Sequence, residues 1–246
     1  MTQPIYHILN GDALAERFPS ALPGQRIICR ECLIDGPVSA PDRETFYQQR
    51  AQYLIDIDGI SLPQEYLDYA TPELDRIYDI DHGSEVYLWF EDDLFCQVNM
   101  WYIVHELPVD VSLYVVRPDE RSPYGYHRYD EAQLIQLYQD REALTNVELI
   151  SELWEAFAER QHDKILKLRE RLSSSSQDYI KSAIDLHMTR TSYQNEESLL
   201  HTRIKSLLHQ NENNSFKGLF RAFCAQYPAY GYGDLQFRVL YDQLKK

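Results

Sequence analysis

Three acid-bearing turns carry most of the chemistry this sequence offers. An apolar run ending at Leu9 stops at Asn10-Gly11-Asp12. A second, "IICRECLIDGPV", has Arg30, Glu31, Asp35 and Gly36 at or past its end, and a third, "YLWFEDD", closes on Glu91, Asp92 and Asp93. Carboxylates gathered in one place raise one another's pKa, bind Mg²⁺ through oxygen, or act as general acid and base. On that reading Asp12, Glu31 and Glu91 are the candidate catalytic residues, and Asp12 and Glu91 would hold Mg²⁺ if a metal is used. A ligand there would also meet His7, Asn10, Gly11, Arg30, Asp35, Gly36, Arg50, Asp92 and Gln97. An anionic ligand would be repelled by the bare acids, so it needs the divalent ion or Arg30 and Arg50 close by. The plainer alternative is that acidic turns solvate loop ends in a very acidic chain, with Asp12 capping the helix that follows. The sequence leaves both standing.

The neighbouring residues divide in the same way. Gly11 permits a tight turn, and the free N–H groups of the next helix suit a phosphate. His7 sits on the strand, either as a core residue or beside the ligand. Gln97 falls in the first turn of an apolar helix, near the third acidic turn, whereas Asn99 reads as structural. Arg50 pairs with an acid, holds an anion or is simply solvated. Cys29-x-x-Cys32 resembles a metal or redox pair but has no second ligand pair and no helix N-terminus, so structural cysteines are the better reading. No P-loop, GxGxxG, GxSxG or HExxH pattern is present.

The elements that must position these residues follow from the apolar pattern. Ile5–Leu9, Arg26–Cys32, Glu85–Phe90 and Val111–Val116 read as buried strands. Helical spacing lies between them at Ala13–Phe18, Arg43–Ile57 and Leu94–Leu107, the last apolar on nearly all sides. Alternation of this kind predicts an α/β fold, a mostly parallel sheet with crossover helices, over residues 1–118. "RPDERSPYGYHRYD" reads as a boundary or lid. Residues 119–195 read as helical, with segments at Asp130–Gln139, Asn146–Glu159 (Thr145 as a possible cap), Lys164–Leu172 and Gln177–Met188, and a polyserine loop at Ser173–Ser176. Residues 196–246 give three short helices, with Asp234 as cap of the last, in a winged-helix-like arrangement.

The 246 residues carry a formal net charge of −15. The last fifty-one are mildly basic, with seven cations against five acids, so the body bears −17. Such a surface argues against general nucleic-acid binding. No apolar run reaches membrane-spanning length and no basic-then-apolar leader opens the chain, so the expected compartment is the cytoplasm, with all four cysteines reduced.

At "HILNGDALAERF", "CRECLIDGPV" and "LWFEDDLFCQVNMW" the chain resembles the DUF1835 family, a largely bacterial group without assigned biochemistry. The family's His-hydrophobic-hydrophobic-x-Gly-acid turn matches His7, Gly11 and Asp12. Its acid, hydrophobic stretch and Gly-Pro match Glu31, Gly36 and Pro37, and its Gln-bearing apolar helix matches Gln97. Many members carry Ser after the first acid, where this chain has Ala13, so any role of that hydroxyl is lost. The tail "LFRAF…YGYGDLQFRVLYDQL" also looks like the end of such proteins, and the likeness is weakest between Pro118 and Glu196. It implies the fold and the pocket's location, and no reaction.

The leading functional expectation is an enzyme or ligand-binding protein taking a small anionic, nucleotide-like ligand at the acidic strand ends. One alternative is a regulator whose C-terminal unit contacts a protein, another copy of the chain, or DNA. DNA fits poorly, because Arg238 is the one cation of the last helix and Asp234 and Asp242 oppose it. A plain interaction scaffold is the third.

Overall fold

The computed structural model describes residues 3–55, 62–119, 125–172, 177–191, 197–210 and 215–244. Four strands, β1 (Ile5–Asn10), β2 (Gln25–Cys29), β3 (Glu85–Trp89) and β4 (Ser112–Val116), run parallel in the order β2-β1-β3-β4. The two-residue β5 (Glu142–Ala143) adds an antiparallel edge against β4. The sheet is therefore α/β and mostly parallel, as the sequence predicts.

Both faces are covered, which is why the strands read as continuous apolar runs rather than alternating ones. Tyr6, Ile8, Ile27, Val86, Leu88 and Val115 face one layer, made by α2 (Arg43–Leu54), α4 (Thr71–Tyr78) and α5 (Leu94–Glu106). Leu9, Tyr87, Trp89 and Val116 face the other, where they meet Leu14 of α1 (Asp12–Ala15), Phe18, and Leu134 of α6 (Glu131–Gln139). The first apolar cluster continues without a break through α7 (Val147–Ala158), α8 (His162–Arg171) and α9 (Asp178–Arg190), and on into α10 (Leu199–Gln210), α11 (Phe216–Gln226) and α12 (Asp234–Leu244). α5 is buried on every side between sheet and helices, with Trp101 and Val98 fully enclosed. Each such side chain contributes about 1.5–3 kcal/mol.

Several boundaries differ from the sequence pattern. β2 ends at Cys29, not Cys32. Asn99 on α5 takes the backbone beyond it, accepting from Leu33 N (3.1 Å) and donating to Glu31 O (2.7 Å). α1 stops at Ala15. The sequence pattern assigns no element between β2's helix and β3, yet α3 (Pro63–Tyr69) and α4 occupy that stretch. Proline is the first or second residue of each, the position where its missing N–H costs nothing. Asn146, in the left-handed conformation, caps α7, and Thr145 does not. Its carbonyl and hydroxyl instead accept from Gln177. Asp234 is the first residue of α12 rather than its cap, and the described part of the C-terminal unit is helical. The end of the expected Arg43–Ile57 helix, part of the proposed lid, the polyserine and most of "QNENNS" lie outside the described residues.

Two buried polar groups hold the layers. Glu31 accepts from Arg50 Nε (3.2 Å) and Nη2 (3.0 Å) and from the Tyr66 hydroxyl, so one carboxylate joins the β2 loop to α2 and α3. Both side chains of the ion pair are fully enclosed. His7 is also fully enclosed. Its Nε2 donates to Pro23 O (2.9 Å) and its Nδ1 accepts from Trp89 Nε1 (3.1 Å), which fixes a neutral ring. Burial lowers its pKa to about 4.

Glu31→Gln leaves Arg50 buried without a counter-charge and should cost about 3–5 kcal/mol in urea unfolding; a loss under about 1 kcal/mol would refute the strut. His7 predicts an acid dependence. Unfolded, the ring protonates below its ordinary value of 6.5; folded, it refuses the proton until about 4. Its contribution is whole above pH 6.5 and falls as pH drops, by about 2 kcal/mol at pH 5. The stability lost between pH 7.5 and pH 5 should shrink by that amount in His7→Gln; an unchanged loss would contradict it.

Candidate functional site

The strand order places the topological switch between β1 and β3, whose carboxyl ends open the crevice where parallel sheets bind ligands. All three acidic turns do lie on this edge. They do not form one cluster, because arginines separate them. Asp12 accepts from Arg30 Nη2 (2.8 Å) and Nε (3.0 Å) and from the Tyr69 hydroxyl. Burial works against it, but Arg30 and Tyr69 hold its carboxyl below the usual range. It does not cap its helix: Gly11 stands at that position, and α1 has no side-chain cap. Glu31 belongs to Arg50. Asp35 pairs with Arg190, which also donates to Ile34 O (2.8 Å) and the Tyr232 hydroxyl (2.9 Å). Asp92 pairs with Arg117 (2.9 Å), whose guanidinium lies 4.1 Å from the centre of the Tyr179 ring.

The consequences for the expected site are direct. Among the described residues Asp12, Glu31 and Glu91 do not share one metal-ligand group, and Arg30 and Arg50 are engaged by carboxylates and backbone carbonyls rather than offered to a ligand. Gly11 turns its N–H back onto Leu9 O (3.0 Å), and the four-residue α1 presents no anion site. His7 lies inside the sheet layer. Gly36 serves packing: at φ +87° it lies against Arg50 and Tyr53, where an added Cβ would come within 2.5 Å of the Tyr53 ring.

Glu91 and Asp93 have no arginine or lysine partner among the described residues. Asp93 caps α5, accepting from Cys96 N (2.9 Å). Glu91 accepts from Tyr126 N (2.8 Å) and from the Cys96 thiol (3.2 Å). Asn10, from the end of β1, donates to Cys96 Sγ (2.8 Å), and Gln97 donates to Glu91 O (2.8 Å). Burial and then the nearby Glu91 push the Asp93 carboxyl up to about 7. Burial, Asp93 and Glu91 push the Cys96 thiol well above its ordinary value.

A second feature opens beside Asp35 and Gly36. A cavity of about 320 Å³ is bounded by the loop after β2, the turn between α7 and α8, and the end of α9. Its walls carry Arg160, His162, His187, Arg190 and Thr191. His187 is 5% exposed, and neither ring nitrogen has a partner. Burial, with Arg190 and His162 beside it, lowers its pKa to about 3, so the ring is neutral. Arg160 holds a left-handed backbone (φ 57°) and is exposed, without a carboxylate partner among the described residues. A larger cavity of about 380 Å³ has aromatic walls and sets four acids, Asp42, Glu106, Glu155 and Glu159, against Arg43 and His105, a poorer setting for an anion.

The sequence reading reached Asp35 and Gly36 on this second wall but missed His162, His187, Arg160 and Arg190. They come from the helical region, where isolated cations and histidines on amphipathic helices look like ordinary surface. Only the fold brings them to the end of β2. No protein family, curated protein or solved structure matches the chain.

Proposed function

We propose that the protein binds a small anionic ligand, phosphate-bearing or carboxylate, in the cavity between the Ile34–Val38 loop and the ends of α7 and α9. The observation that carries this is His187, a buried imidazole with two unpaired nitrogens on the wall of a cavity that Arg160 also lines. Buried polar atoms in folded proteins have partners, so a cavity wall that lacks one calls for a ligand or ordered water. Arg160 supplies the charge and a fork of donors for oxygen. The neutral imidazole supplies one N–H donor and one acceptor, which suits a ligand with both oxyanion and hydroxyl groups. Arg190 and Asp35 form the rigid rim. The acidic strand ends are then neighbours of the pocket rather than its catalytic centre, and this reading assigns no reaction.

The proposal keeps the DUF1835 likeness, the cytoplasmic setting and the winged-helix-like ending as expectations that share this binding role. Nucleic acid is not the ligand proposed: the one cation of α12, Arg238, lies 3.6 Å from the centre of the Phe216 ring, engaged within its own unit.

Calorimetric titration with inorganic phosphate, a nucleotide and a dicarboxylate tests it. At least one anion should bind saturably, and Arg160→Gln should weaken it by about tenfold, the value of one charge-assisted hydrogen bond. His187→Phe, which keeps the ring and removes both nitrogens, should weaken it similarly. Binding unaltered in both variants, or no binding by any anion, would defeat the proposal.

A further inference from the structure

We propose that Glu91, Asp93 and Cys96 form a binding site for a divalent transition cation of the zinc class, closed from above by the C-terminal segment. The site is separate from the anion cavity and does not depend on it. One ligand atom from each of the three residues lies within 4.8 Å of the others. Cys96 Sγ and a Glu91 carboxylate oxygen already lie 3.2 Å apart, and tetrahedral zinc, with bonds of about 2.0–2.3 Å, draws the wider separations in by roughly 1 Å at most, within reach of small side-chain rotations.

Charge balance makes the group distinct. On the same sheet edge Asp12, Glu31, Asp35 and Asp92 each carry an arginine. Glu91 and Asp93 carry none among the described residues, although Asp93 is 3% exposed. Buried carboxylates are paired, protonated or bound to metal. A second observation comes from Gln97, which is fully enclosed and belongs to the next position of α5. Its amide nitrogen is fixed on Glu91 O, and the oxygen on the same carbon has no donor. A buried acceptor without a donor, on the side chain that holds the Glu91 carbonyl and one position along the helix from Cys96, marks a place that lacks a donor or a cation.

The donor set chooses the ion. Mg²⁺ takes oxygen and keeps several waters, whereas a thiolate selects zinc-class ions. Cys96 supplies the sulfur: Asn10 donates to it, and a coordinating cation deprotonates a thiol outright. On binding, the thiol proton now shared with Glu91 leaves to solvent and the sulfur bonds the cation, with no change of oxidation state. Three protein ligands leave the fourth position for water, the open arrangement of catalytic zinc. Glu91 is the partly exposed member and gives the ion its way in. Gly231 lies over Asp93, where an added Cβ would come within 1.9 Å of Oδ1, so the C-terminal segment seals the other side.

The test is titration of the full metal-free chain with Co²⁺ and then Zn²⁺. One equivalent of Co²⁺ should give a thiolate-to-cobalt charge-transfer band, displaced by Zn²⁺, with a raised thermal midpoint. Cys96→Ser should abolish the band. Glu91→Gln, an isosteric change at a half-exposed position, should keep the band but weaken affinity on the order of tenfold or more, and it serves if Cys96→Ser does not fold. No band in the wild-type chain, a band unchanged in Cys96→Ser, or an unweakened Glu91→Gln would overturn the proposal.

Discussion

A carboxylate at the end of a buried parallel strand must find positive charge or stay protonated, and this requirement organises the molecule. The chain is strongly acidic and sends six carboxylates to one edge of its sheet. It answers with four arginines delivered from very different places. Arg30 comes from the turn after β2 and pairs with Asp12 of the first turn, Arg50 from the first long helix, Arg117 from the end of β4 and Arg190 from the end of α9. Each pair therefore also fixes a segment. The Arg190–Asp35 pair joins residues 155 positions apart and locks the helical region to the β2 loop.

The same logic explains why the C-terminal unit sits where it does. Tyr232 accepts from Arg190, Gln236 donates to Cys32 Sγ (3.3 Å), and Gly231, at φ +67°, lies against Asp93. One short segment thus touches the rim of the His187 cavity and the uncompensated carboxylates together. A change at either place is felt through the same few residues, and both places depend on the C-terminal helices being docked.

Much of the fold was legible because buried parallel strands and an all-round apolar helix leave unmistakable runs. β1, β3, β4 and α5 owe their apolar runs to hydrophobic burial, which a sequence displays. What escaped depends on other physics. α3 and α4 begin with prolines that read as breaks, and β5 is two exposed residues held by backbone bonds to Tyr114 and Val115. The candidate site was legible in its acids and not in its cations. Acidic turns announce themselves locally, whereas the partner of Asp35 stands 155 residues away and the partner of Glu31 lies on a helix whose arginine reads as solvated.

That asymmetry redirects the meaning of the acids. Had they been bare, a single catalytic cluster at Asp12, Glu31 and Glu91 would follow from their positions. With arginines in place, three of the four pairs tie a strand end to another segment, and Asp12, with Arg30 and Tyr69, tightens the mouth of the first turn. Chemistry then shifts to the groups that compensation leaves over. At the cavity these are the two unpaired nitrogens of His187, with Arg160 on the same lining; at the third acidic turn, Glu91 and Asp93 with the Cys96 thiol. In a protein so thoroughly paired, the unpaired groups are the informative ones, because folding alone gives no reason to bury them that way.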